Sequence, residues 1–145
     1  MTTTILEFDI VPSNIEQPLG IEVWFNNLCV TDVNELKEKQ SVTCEVNDDT
    51  NEQQQLKIVV KNKTPAHTIV NEQDEIVSDS TLDILNFKLD GIEIDQLVRD
   101  LSVYRHDFNG SGNWIDDGFF NTVGCNGSIT LEFTTPSYLW LLENM

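Results

Sequence analysis

Leu6-Glu7-Phe8-Asp9-Ile10 alternates apolar and acidic side chains. Successive side chains of an extended chain point to opposite faces, so this stretch reads as a strand with one buried face and one wet face. The same period recurs further along the chain. Ile21, Val23 and Phe25 repeat it, and Val42, Cys44 and Val46 alternate with Ser41, Thr43 and Glu45. Leu56-Lys57-Ile58-Val59-Val60, Leu101 to Phe108 and Ser128 to Thr134 read as further strands.

Turn chemistry punctuates these runs. Asn26-Asn27 tolerates positive φ and joins Ile21–Phe25 to Leu28-Cys29-Val30 as a hairpin. Asp90-Gly91 does the same between Leu82–Leu89 and Ile92–Ile94. After the break at Thr64-Pro65, the polar turn Asn71 to Glu75 separates His67–Val70 from Ile76–Ser78 as a second short hairpin. Helical patterning is confined to Thr31–Lys39, where Asp32 is a candidate cap, and to Tyr138–Glu143 after Pro136. The expectation is an all-β chain: one domain over residues 1–145, an antiparallel β-sandwich of jelly-roll type with one short helix.

Composition narrows the function classes. The 145 residues carry 8 Lys plus Arg against 25 Asp plus Glu, a net charge of −17. Such a chain repels phosphate backbones and anionic headgroups over about 10 Å, so neither nucleic acid nor membrane is an expected partner. Three cysteines without a C-x-x-C spacing argue against a disulfide framework or a zinc site. Residues 1–20 lack the basic and apolar regions of an export signal, and no run of about 20 apolar residues occurs.

Chemistry concentrates in Asp107-Phe108-Asn109-Gly110-Ser111-Gly112-Asn113-Trp114-Ile115-Asp116-Asp117-Gly118. Oxygen-bearing side chains fall at every second position, Asp107, Asn109, Ser111 and Asn113, as in the first half of an acidic calcium loop. Gly118 stands where such a loop needs its closing glutamate, so the cation site is partial at most. Asp107, Asn109, Ser111 and Asp117 are the candidate calcium ligands, and Trp114, Asn113 and Asp116 are the candidate ligand-binding residues. Trp114 would offer its face to a sugar ring. The competing reading is an Asx-rich turn whose side chains satisfy their own backbone.

Catalysis finds little support. His67 and His106 have no G-x-S-x-G or H-E-x-x-H context, and His106 and Asp107, adjacent on a strand, point to opposite faces. Asp116 and Asp117 are sequence neighbours, whereas a glycosidase pair must flank a bond from separate positions. The expected class is a non-catalytic binder.

From Ile84 to Phe133 the chain resembles the calcium-dependent xylan-binding modules, a jelly-roll family of carbohydrate-binding modules. The likeness rests on Leu85 to Ile94 with its D-G turn, on Gly112-Asn113-Trp114, and on Cys125-Asn126-Gly127-Ser128-Ile129. That family commonly closes a disulfide near the sugar, and here Cys125 is the only cysteine in the region. Asp107 to Gly110, Gly124 to Gly127 and Glu132 to Met145 resemble segments of small proteins encoded by tailed phages of marine cyanobacteria. Together the resemblances imply a carbohydrate-binding-module-like accessory or virion protein, with a glycan or a virion protein as partner, calcium as candidate cofactor, and the virion or host cytoplasm as its place. The alternative is a structural or self-assembling protein without a glycan ligand, docking through Tyr138-Leu139-Trp140-Leu141-Leu142.

Overall fold

The computed structural model describes residues 3–145, so the first two positions of the expected 1–145 domain lie outside the described residues. The strands are β1 (Thr3–Pro12), β2 (Gly20–Phe25), β3 (Leu28–Val33), β4 (Gln40–Asn47), β5 (Gln53–Lys61), β6 (Thr68–Val70), β7 (Ile76–Asp79), β8 (Leu82–Leu89) and β9 (Ile92–Glu93). Helix α1 (Asp95–Leu101) leads into β10 (Val103–His106), β11 (Ile115–Gly118), β12 (Thr122–Val123) and β13 (Gly127–Thr134), and α2 (Ser137–Asn144) closes the chain.

Among the described residues these strands form two main antiparallel sheets. One runs β12-β8-β1-β4 with β9 beside β8, the other β11-β10-β13-β5-β2-β3, and β6 pairs with β7 as a separate hairpin. The chain passes repeatedly between the sheets, as in a jelly roll. The expected antiparallel sandwich is therefore the fold.

The alternation read from Leu6 to Ile10 is realised literally. Leu6, Phe8 and Ile10 are fully buried, paired in register with Cys44, Val42 and Gln40 of β4. Ile21, Val23, Ile58, Val60, Ile129 and Leu131 bring the inner face of the second sheet into the same core cluster. Phe8 stacks on Phe87 at 4.9 Å between ring centroids, and Phe119 meets Phe87 edge-on at 6.3 Å. Each such ring contributes about 1.5–3 kcal/mol by leaving water. The Asn26-Asn27 and Asp90-Gly91 turns both have two consecutive positive φ values, as the tight hairpins require. Cys44 lies in the core, where burial pushes its thiol up to about 11, and all three cysteines are free.

Two sequence expectations are corrected. Thr31–Lys39 is not a helix: β3 continues to Val33, in register with Ile21, Glu22 and Val23 of β2 through Val33, Asp32 and Thr31. Cross-strand pairing extended from the Asn26-Asn27 turn overrides the weak helical pattern. Leu101 ends α1 instead of opening a strand, and the strand begins at Val103. Ile94, Leu97, Val98 and Leu101 carry the helical i, i+3, i+4, i+7 spacing that marks α1.

The C-terminal helix forms much where expected and packs inward. Trp140 is buried and rests on Phe133 at 5.5 Å. Asp48, far away in sequence, accepts hydrogen bonds from the Ser137 backbone N–H (3.1 Å) and hydroxyl (2.7 Å), placing a carboxylate at the positive end of α2. The Thr4 hydroxyl donates to the same carboxylate.

Candidate functional site

Residues 107–114 form the turn between β10 and β11, and the last four residues of the expected loop are strand β11. Phe108, Asn109, Gly110 and Gly112 all have positive φ, a tight path that Asn and Gly accommodate. The Asp107 carboxylate lies beneath this turn and accepts the Gly110 N–H at 2.9 Å and the Gly112 N–H at 3.2 Å. Its backbone carbonyl accepts from the Ser111 N–H and hydroxyl, and the Ser111 oxygen accepts from the Asn113 N–H at 3.1 Å. Asn109 reaches sideways: its carbonyl accepts the Asn126 N–H at 2.8 Å, and its amide approaches Cys125 Sγ at 3.5 Å.

Asp117 belongs to a different environment. It pairs with Tyr104 in the β10–β11 register, with Oδ2 3.3 Å from His106 Nε2 and Oδ1 accepting the Gly118 N–H. His106 Nδ1 accepts the Phe108 N–H, so its proton sits on Nε2 and points at Asp117. That hydrogen bond, followed by the one from Gly118, holds the Asp117 carboxyl below the usual range. His106 is buried between the rings of Tyr104 (4.6 Å) and Phe108 (4.8 Å). Tyr104 in turn donates to the Cys125 carbonyl and accepts its N–H, and burial raises its phenol. His106 thus finds its carboxylate across the hairpin, in Asp117, instead of in its neighbour Asp107.

These partners bear directly on calcium, which takes six to eight oxygens converging on one centre. Asp107, Ser111 and Asn109 direct oxygens to backbone N–H groups, while Asp117 faces a histidine. Among the described residues no three His, Cys, Asp or Glu side chains gather into a metal cluster. In this arrangement the four residues do not fit a calcium ion, and the turn has the form of the competing reading, a backbone satisfied by its own side chains.

The ligand-binding candidates divide differently. Asp116 and Asp117, adjacent on β11, point to opposite faces. Asp116 lies on the outer face, where its Oδ1 accepts from Arg105 Nη1 at 2.9 Å. Trp114, two residues earlier, lies on the same face, 53% exposed, with the Arg105 guanidinium carbon 5.7 Å from its ring centroid. Arg105 therefore contacts both an indole and a carboxylate, a cation–π contact and an ion pair that bring the three side chains together on one face. Asn113 is exposed at the rim of the turn.

Arg105 and Asp116 also form one end of a groove of about 630 Å³ on the outer face of the sheet. Its floor is Val103 on β10 and Ser128, Thr130 and Glu132 on β13, and Leu101, Trp140 and Asn144 wall the far end. Hydroxyls, a guanidinium, carboxylates and apolar walls together suit a ligand with both hydroxyl edges and C–H faces. Arg105 and the β13 residues were absent from the sequence candidates. The signal for them is the period-two alternation itself, which places Arg105 opposite the buried Tyr104 and His106. A cleft of about 700 Å³ near the start of β2, lined by Glu16, Gln17, Pro18, Asn34, Glu35, Asn62, Ala66 and His67, has polar groups but no tryptophan, tyrosine or phenylalanine face.

No protein-family model and no curated protein matches the sequence. Among solved structures, the fold is similar to vCBM60 in complex with galactobiose, with a TM-score of 0.51 and 11% identity over 88% of this chain and 96% of that one. It is equally similar to a selenomethionine form of vCBM60, described with two families of calcium-dependent carbohydrate binding modules, at TM-score 0.52 and 10% identity over 88% and 89%. At these identities the likeness is one of fold alone, an antiparallel β-sandwich.

Proposed function

We propose that the chain is a non-catalytic glycan-binding module whose ligand lies in the groove on the outer face of β10 and β13. Trp114 stacks on a sugar ring, while Arg105 and Asp116 hydrogen-bond its hydroxyls from below. The observation that carries this reading is the exposed Trp114 indole gathered with Arg105 and Asp116, two residues that line one end of a groove containing Ser128 and Thr130. Indole presented beside hydroxyl-binding groups is what a sugar, apolar on one face and polar at its edges, requires. The fold shared with vCBM60 is consistent with it. The calcium dependence of the carbohydrate binding modules described with vCBM60 is not carried over, because Asp107, Asn109, Ser111 and Asp117 already serve other partners. A glycan array followed by calorimetry tests the proposal: the wild type binds a defined glycan, and Trp114→Ala and Arg105→Ala weaken it at least tenfold. Undiminished binding by both variants removes it.

The resemblance to phage proteins extends the proposal to a surface glycan of the host as ligand and the virion as place of action. Mass spectrometry of purified particles tests that extension, and absence of the chain from them ends it.

A second reading rests on α2, whose Tyr138 and Leu142 are 62% and 74% exposed, with Met145 just beyond it 79% exposed. It makes this strip a docking surface for another protein. Removing the helix would also remove the buried Trp140, so the test is Leu142→Glu. Sedimentation that does not change with this substitution, from a wild type that is monomeric, disfavours self-assembly through the helix.

A further inference from the structure

The outer face of the six-stranded sheet does not end at the groove. Trp24 on β2 pairs with Lys57 on β5, Lys57 with Thr130 on β13, and Thr130 with Val103 on β10. These four side chains alternate with buried neighbours on every strand, so they form one outward row crossing the sheet. Three strand spacings separate β2 from β10, about 14 Å at the usual spacing. That row meets β11 at Gly118, and Trp114 lies four residues further along, past Asp116, so the path from Trp24 to Trp114 runs diagonally over the sheet through Ser128 and Arg105.

Around Trp24 the surface dips again, into a depression of about 250 Å³ lined by Trp24, Asn27, Gln55 and Lys57. The indole is held in place: Nε1 donates to Glu22 at 2.9 Å, and Glu22 is paired with Lys61 at 3.1 Å. A ring fixed before binding loses little freedom when a ligand covers it. Between the two tryptophans lie Lys57, Thr130, Ser128 and Arg105, ammonium, hydroxyl and guanidinium groups that meet hydroxyls well, with Val59 opposite Ser128 among them. Arg105 and Lys57 are balanced by Asp116 on the path and by Glu132 beside it, although the chain as a whole carries −17. A local balance of this kind matches an uncharged ligand better than a basic or an acidic one.

Resting on the glycan reading, we propose that Trp24 forms a second ring-stacking subsite. The ligand is a neutral oligosaccharide several units long that crosses the strands from Trp114 to Trp24.

Calorimetry with galactobiose and with xylo-, gluco- and galacto-configured hexasaccharides tests the inference on wild type, Trp24→Ala, Trp24→Phe and Trp114→Ala. The wild type binds its preferred hexasaccharide about tenfold more tightly than the disaccharide. Trp24→Ala removes that advantage and leaves disaccharide binding unchanged, Trp24→Phe restores part of it, and Trp114→Ala weakens both ligands. Equal affinity of the wild type for short and long ligands overturns the second subsite, as does a Trp24→Ala loss that is equal for both or absent. Binding that survives Trp114→Ala, or no sugar binding by the wild type, instead overturns the glycan reading at the groove, and the second subsite falls with it.

Discussion

Replacing Asp79 by alanine should cost far more stability than replacing its partner Lys63 by methionine, although both break the same ion pair. The Lys63 side chain is 2% exposed, and its ammonium donates to Asp79 Oδ1 at 2.5 Å and to the Ser80 carbonyl at 2.6 Å. Asp79, 34% exposed, also accepts from the Thr68 hydroxyl at 2.7 Å. Asp79→Ala strands a buried ammonium with one carbonyl, which costs about 3 kcal/mol, the low end of the range for a broken buried pair because one partner meets solvent. Lys63→Met leaves a carboxylate that keeps Thr68 and water, at a cost of about 1 kcal/mol. The double variant, with no charge left to strand, returns to about the cost of Lys63→Met. Urea unfolding followed by tryptophan fluorescence reads the difference as a midpoint shift of about 1–2 M for Asp79→Ala. Acid gives an independent check. Desolvation raises the Asp79 carboxyl, but its hydrogen bonds to Lys63 and Thr68 outweigh this and hold it below 3.8. A depressed folded-state value means stability that is fully present above the unfolded value and lost as pH falls through the folded one. The gap between wild type and Asp79→Ala should therefore be constant near neutrality and narrow below about pH 4. A Lys63→Met cost equal to or above that of Asp79→Ala, or a gap that widens in acid, refutes the reasoning.

Gly127→Ala places a methyl 2.2 Å from the Arg105 carbonyl oxygen, on the strand that carries the groove, and backbone must move to admit it. The expected cost is about 3 kcal/mol by denaturation, whereas Gly124→Ala, whose nearest neighbour is a side-chain methyl at 3.3 Å, costs under about 1 kcal/mol. Asp48→Ala removes the long-range cap of α2 and lowers stability by about 1 kcal/mol, with Trp140 fluorescence shifting as the helix loosens. Calcium at millimolar concentration should leave the melting temperature unchanged. A rise equivalent to about 2.7 kcal/mol, the effect of ligand at a hundredfold its dissociation constant, would mean that the 107–114 turn reorganises around a cation.

What was legible in the sequence follows physical range. Period-two alternation fixed which face of each strand is buried, because a one-residue slip would expose Leu6, Phe8 and Ile10 together. Asn26-Asn27 and Asp90-Gly91 were legible because positive φ is a local demand. The 31–39 stretch misled because its fate depends on pairing with Ile21 to Val23, a neighbour on another strand. At the 107–118 segment the composition was visible but the direction of each oxygen was not. Asp107 turns to Gly110 and Gly112, and Asp117 to His106, through contacts that no spacing rule distinguishes from ligation. Arg105 escaped notice for a related reason: its significance arises only when β10 and β11 bring Trp114 and Asp116 to either side of it.

The most direct test of the central claim is a heteronuclear NMR titration of the ¹⁵N-labelled chain with the glycan selected by array. The indole N–H of Trp114 and the amides of β10, β11 and β13 around Arg105, Asp116, Ser128 and Thr130 should shift together with a common affinity. Shifts confined to the 16–18, 34–35 and 62–67 cleft, or to the α2 surface, would contradict the account.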